Sequence, residues 1–147
     1  MPYTLTEVDG QKYAGEINRI NDLFPDDFLP LKPRHLAKGF WWLVYCDGQV
    51  VGFAGMVPFE PFPRVGYLKR AAVLPEHRGN GLQERMMIAR EMRALTDTDW
   101  LRLVSETHVD NVVSANNFIA AGYRLCEVER PWAEETLFWI KELKPCH

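Results

Sequence analysis

Between Val73 and Met87 the chain reads VLPEHRGNGLQERMM, and the residues best suited to chemistry are Arg78-Gly79-Asn80-Gly81 at its centre. An apolar run from Tyr67 to Leu74, interrupted by Lys69 and Arg70, reads as a buried strand that Pro75 stops. Leu82, Gln83, Glu84, Arg85, Met86 and Met87 are good helix formers, so the glycine loop opens a helix. This order aims a helix N-terminus and several free backbone N–H groups at one spot, which attracts anions and phosphates above all. Gly79 and Gly81 lack a Cβ, so the backbone can take positive φ and a phosphate can come close. Arg78 adds a cation able to pair with a phosphate oxygen. A plain tight turn would use the same glycine pair. The loop is not a P-loop, because Leu82-Gln83 stand where Lys-Ser/Thr would follow, and it lacks the three spaced glycines of the dinucleotide fingerprint.

The elements that position this loop follow from periodicity. Tyr3 to Val8 alternates as a strand ended by Asp9-Gly10. Tyr13, Ile17, Ile20 and Phe24 mark one face of a helix over 11–24. The segment from Pro25 to Gly39 reads as a loop with one short helix near Arg34 to Lys38. Phe40 to Cys46 and Gln49 to Val57 form a hairpin across Asp47-Gly48, and Gly52 and Gly55 suggest a bulge or a close backbone approach. Pro58 to Pro63 (PFEPFP) reads as a rigid proline-rich loop in preference to a wall of a cleft. The helix over 80–95 is expected to bury Leu82, Met86, Ala89, Met92, Ala94 and Leu95. A strand over 100–106, a helix over 112–121 capped by Asp110 or Asn111 and stopped by Gly122, and strands over 123–128 and 136–143 complete the chain. The order implies an α/β (α+β) fold, a mixed, mostly antiparallel sheet of about seven strands with helices on both faces. The crossover through the 80–95 helix is where such a sheet places its ligand.

Bulk properties narrow the function. The 147 residues suffice for one domain with a real core, and 47% apolar with 25% charged residues is ordinary for a globular chain. The net charge of −3 argues against a general nucleic-acid binder. Cys46, Cys126 and Cys146 lack metal-ligand spacing, and an odd count suits a reducing cytoplasm. No signal pattern or membrane-length apolar run is present, so the expectation is a cytoplasmic protein with no membrane partner. His35 and His77 have no neighbours at ligand spacing, and no metal is expected.

With HRGNGLQ, the preceding LKRAAVLPE and the later NVVSANNFIAAGY in this order, the chain resembles the GNAT (Gcn5-related) N-acetyltransferase family. The family signature Arg/Gln-x-x-Gly-x-Gly/Ala is carried by Arg78, Gly81 and, in its last place, Gln83. Asn111 and Gly122 sit where the family's later segment has its Asn and Gly. Motif-level likeness covers Leu68 to Tyr123 in two blocks, while the element order matches nearly throughout. The resemblance implies one acetyltransferase domain over residues 1–147 and an acetyl-CoA co-substrate. Backbone groups of Ala71, Ala72 and Val73 would pair with the pantetheine arm. Amides from Gly79, Asn80, Gly81, Leu82 and Gln83, through Glu84, would hold the pyrophosphate, and Asn111 would be a side-chain partner as well as a helix cap. Many family members carry a tyrosine four residues before the later segment's glycine to protonate the leaving thiolate. Here that residue is Phe118.

Direct transfer to an amine then needs a base, and Glu106 ranks first, with His108 second for its ordinary pKa near neutrality. Backbone N–H groups near Val73 would polarise the carbonyl. Ser114 and Asn117 would be hydrogen-bond donors to the thiol, while Tyr67 and Tyr123 read as packed. Cys126 reads as a buried small residue. Arg64, Lys69 and Arg70 either attract an acidic acceptor or the cofactor's charged end, or are solvated on the sheet surface. The expected acceptor is a small-molecule or peptide amine shaped by Pro25 to Gly39, Pro58 to Gly66 and Glu129 to Glu135, with Phe28, Phe59, Phe62 and Trp132 hinting at an apolar or aromatic body. The competing reading is a catalytically inactive acyl-CoA or ligand sensor, favoured by Phe118. A homodimer through Trp139 and the last strand is one option; that strand finishing the sheet is the other.

Overall fold

The computed structural model describes residues 2–26, 28–127 and 135–143. Expectations placed on Val128, on residues 129–134 with Trp132, and on Cys146 lie outside them. Along the chain run β1 (Tyr3–Val8), α1 (Ala14–Asn21), α2 (Pro33–Ala37), β2 (Phe40–Cys46), β3 (Gln49–Pro58), β4 (Val65–Val73), a 3-10 turn (Pro75–His77), α3 (Leu82–Asp97), β5 (Arg102–His108), α4 (Val112–Ala120), β6 (Arg124–Cys126) and β7 (Thr136–Glu142). One seven-stranded sheet takes the order β1-β2-β3-β4-β5-β7-β6. Among the described residues β4 and β5 alone pair in parallel, as a strand–helix–strand crossover through α3 requires.

The α1 helix starts later than its apolar spacing suggests. Asp9 explains this: its carboxylate accepts from the Gln11 and Lys12 amides at 2.9 and 3.3 Å, holding a turn before the helix begins. Strand alternation divides the core. Trp41, Leu43 and Phe53 pack with Ile17, Ile20 and Leu36 of α1 and α2, while Trp42, Met56 and Leu68 pack with Met87, Ala94 and Phe118 of α3 and α4.

On α3 the buried face is Leu82, Met86, Met87, Arg90 and Ala94. Met92 and Leu95, expected inside, are 56% and 43% exposed. Arg90 takes core space instead: its guanidinium donates to the carbonyls of Met86 at 3.3 Å and Gly55 at 3.5 Å. β7 lies between β5 and β6, with β6 paired to Phe138–Ile140, and Trp139 is 2% exposed with its indole N–H on Thr107 Oγ1. Cys126 is half-buried rather than buried.

Both glycines of β3 sit at irregularities. Register slips between Val44 and Tyr45 opposite Gly52, and again next to Gly55, where Lys69 becomes an extra residue in β4. A Cβ at Gly55 would collide with the Trp41 ring, itself 1% exposed. Gly55→Ala should therefore destabilise the protein by about 1–3 kcal/mol through overpacking, visible as a lower urea midpoint with an unchanged slope.

Candidate functional site

β4 and β5 pair over three residues only, Val65 to Tyr67 with Arg102 to Val104, while β4 stays on β3 as far as Val73. Beyond Tyr67 the second edge of β4 is open. At the first step of the split Ser105 Oγ donates to the Leu68 carbonyl at 3.0 Å. The Leu74 amide donates to the Val51 carbonyl at 2.9 Å, which fixes the phase of the antiparallel ladder. Alternation then turns the backbone groups of Ala72 to β3 and those of Ala71 and Val73 to the open edge. In agreement, Arg78 Nε reaches the Val73 carbonyl from that side at 3.0 Å.

The edge leads into the glycine loop. Gly79 and Gly81 both have positive φ, +81° and +73°, and no atom lies within 4 Å of where a Cβ would stand on either. The Asn80 side-chain Nδ2 laces the loop by donating to the carbonyls of His77 and Arg78 and to Tyr3 Oη. Helix hydrogen bonding begins with the Arg85 amide on the Gly81 carbonyl at 3.1 Å. The amides of Gly79, Asn80, Gly81, Leu82, Gln83 and Glu84 meet no acceptor among the described residues. Buried Leu82 pins the first turn to the core. Such a cradle has the donors, the dipole and the space for a pyrophosphate. Arg78 is held beside it, between the Val73 carbonyl and the Phe24 ring at 5.5 Å.

Where the strands part, on the sheet face towards α2, lies a cleft of about 470 Å³ bordered by Tyr67, Glu106, Lys69, His35 and Phe59. Tyr67 Oη donates to Glu106 Oε1 at 2.6 Å, and Glu106 Oε2 is buried with no partner among the described residues. Burial and the adjacent Glu106 charge push the Tyr67 phenol well above its ordinary value, so it remains a donor. Phe59 stacks on Tyr67 with 5.4 Å between centroids, and Pro58, Phe59 and Glu60 form part of the cleft wall. The PFEPFP segment is thus a wall as well as a rigid loop. Tyr67, read as merely packed, orients the carboxylate. A tyrosine and a glutamate both at strand ends were the available signal, but their pairing needs the register of β4 on β5.

His108 is placed apart. It lies one pleat beyond Glu106, half exposed, with Nε2 3.0 Å from Glu135 Oε2 and Nδ1 accepting from the Asp110 amide, and it does not border the cleft. Asn111 caps α4, its Oδ1 accepting from the Ser114 amide at 3.1 Å. Ser114 is half-buried and Asn117 exposed on the same helix. α4 ends with the Tyr123 amide on the Phe118 carbonyl and the Gly122 amide on that of Ile119. Phe118 stacks on Trp139 at 5.6 Å and is 8% exposed, so this position belongs to the core. The Tyr123 hydroxyl is bonded to Glu91, which also receives Lys141.

On the other wall His35 sits near Lys69, Arg34, Lys32 and Arg70. Burial first, then those four cations, lower its imidazole from 6.5 to about 4. Among the described residues no group of three or more His, Cys, Asp or Glu could hold a metal, and no helix is long and apolar enough to cross a membrane.

Comparison with known proteins adds to this geometry. The model of the acetyltransferase (GNAT) family matches residues 11–123. No curated protein matches the chain. A Klebsiella pneumoniae structure, provisionally described as an acyl-CoA N-acyltransferase, is 23% identical with TM-score 0.74, over 97% of this chain and 98% of that one. An N-acetyltransferase from Staphylococcus aureus is 15% identical with TM-score 0.77 over 98% and 100%. A ribosomal-protein-alanine N-acetyltransferase from Brucella melitensis is 17% identical with TM-score 0.76 over 95% and 99%. At these identities the likeness is one of fold.

The lowered His35 pKa has a measurable consequence. Its folded value lies below its unfolded one, so the folded state prefers the neutral ring; stability is full above about 6.5 and falls as pH drops towards 4. His35→Gln should flatten the decline of Tm over that window, and an NMR titration should find the His35 ring still neutral when the unfolded chain's histidines have protonated.

Proposed function

The chain belongs to the acetyltransferase (GNAT) family, and on that premise we propose that it moves an acetyl group from acetyl-CoA to a primary amine by direct transfer. The observation that carries this reading is one of continuity. An open backbone edge at Ala71 and Val73 runs into six free amides at Gly79 to Glu84, and a carboxylate stands in the cleft at its other end.

The pantetheine arm would bond to Ala71 and Val73, and the pyrophosphate to the loop amides. Gln83 contributes its backbone N–H, so its side chain in the family's last Gly/Ala place does not remove a donor. Asn111 keeps its side-chain N–H groups for the ligand while its Oδ1 caps α4. Bound acetyl-CoA supplies an activated thioester: the amine N–C bond forms, the C–S bond breaks, and the thiolate takes a proton from solvent to leave as the thiol. Glu106 accepts the proton that the amine loses, directly or through water. Tyr67 holds that carboxylate in place, and closeness of the two substrates contributes much of the rate. His108 takes no part in this scheme, being tied to Glu135 outside the cleft.

A second reading, ligand sensing without turnover, is favoured by Phe118, because the usual acid is replaced by a ring packed on Trp139. Titration calorimetry separates the issues. Acetyl-CoA and CoA should both saturate the wild-type protein, and Gly81→Glu, which forces a side chain and a negative charge onto the cradle, should abolish binding. No binding to folded wild-type protein would end both readings. In an amine assay by thiol release, Glu106→Gln should lower kcat by roughly 10²–10⁴-fold with acetyl-CoA affinity kept. Binding without turnover of any amine would favour the sensor.

A further inference from the structure

The cleft at Glu106 does not stand alone. A second hollow of about 490 Å³ adjoins it, sharing Arg34, His35 and Lys69 and adding Lys32, Arg70 and Leu29. Four cations, Lys32, Arg34, Lys69 and Arg70, thus converge on one groove in a chain whose net charge is −3. None of the four has an ion pair among the described residues. Of the carboxylates lining the adjoining cleft, Glu60 is paired with Lys38, and Glu106 accepts from Tyr67 while its charge still acts on Lys69 and Arg70.

The bulge brings the charge here. With Lys69 as the extra residue of β4, both Lys69 and Arg70 turn to the α2 side, where strict alternation would send one to α3. Arg70 is fixed by the Leu29 carbonyl at 3.4 Å and by the Phe28 ring 5.4 Å from its guanidinium carbon. Its Nε is buried without an acceptor among the described residues. Asn21, 0% exposed, donates to the same Leu29 carbonyl at 3.1 Å and so holds the rim. Desolvation lowers the Lys69 and Arg70 pKa values, as does the mutual repulsion of cations at Lys69. Lys69 and Arg70 are partly desolvated and crowded by like charge, the Glu106 carboxylate offsets this only in part, and an anion would relieve it.

Resting on the acetyltransferase reading, we propose that the acceptor is a small amino acid, a primary amine that also bears a carboxylate. The amine lies at Glu106 and the carboxylate against Lys69, Arg34 and Arg70. Arginine matches the planar carboxylate with paired donors, and the carboxylate of Glu106 favours the ammonium end on arrival. The arrangement therefore reads both charges of a zwitterion and fixes which end meets the thioester.

The test uses matched pairs, α-, β-, γ- and ε-amino acids against the amines left when the carboxylate is removed, with thiol release from acetyl-CoA as one readout. The His35 NMR titration in the presence of CoA is the other, since a bound carboxylate raises the His35 pKa. The carboxylated member of a pair should be preferred by roughly 10–100-fold in kcat/KM, the scale of one charge-assisted contact. Arg34→Gln and Lys69→Gln should bring that ratio towards one while Tm stays level or rises, because a repelling charge has gone. If amino acids raise the His35 pKa in an Arg34-dependent way but no thiol is released, the anion site stands and the transferase reading fails. If amines without a carboxylate are acetylated equally well or better, or no amino acid moves His35 or turns over, the proposal is overturned.

Discussion

The parting of β4 from β5 after three paired residues is the constraint on which the rest of this molecule depends. A parallel ladder continued to Val73 would satisfy the Ala71 and Val73 groups and leave no groove. The split instead leaves polar backbone that must find another partner, since an unpaired buried amide or carbonyl costs about 1–3 kcal/mol. Ser105 Oγ meets the Leu68 carbonyl and Arg78 meets that of Val73, so the two ends of the gap are stitched. What lies between remains available to a ligand that carries its own amides.

The split also explains where the carboxylate is. Tyr67 is the last paired residue of β4, and Glu106 lies two positions beyond its partner Val104 on the same face of β5. The diverging strands hold the two side chains across the vertex, at hydrogen-bond distance, with the other carboxylate oxygen buried and without a partner among the described residues. Packing enforces the geometry: Phe59 stacks on the outer side of Tyr67, while Leu68 and Leu103 fix the strands from the α3 side. The cation-lined groove next to it depends on a second backbone irregularity, the bulge at Lys69, for which Gly55 makes room beneath Trp41.

Element order, the crossover and the glycine loop opening α3 could be read from the chain, because each rests on local rules. Period-two and period-3.6 spacing, Asp47-Gly48 in the hairpin and Gly122 after α4 act over a few residues. Errors arose where a neighbour distant in sequence decided the outcome. Met92 and Leu95 face outwards because Arg90 fills the core position and meets the Gly55 carbonyl. PFEPFP borders a cleft because the opposite wall comes from α2.

Residue types and spacing by themselves determined that this chain forms a mixed sheet with a glycine-opened helix. Only the tertiary structure decided which groups work together. It paired Tyr67 with Glu106, removed His108 to Glu135 and Phe118 to Trp139, and gathered Lys69 and Arg70 beside Arg34. The physical reason is that strand register and a one-residue bulge set which side chains meet, and both are fixed by packing across the whole sheet rather than by local sequence.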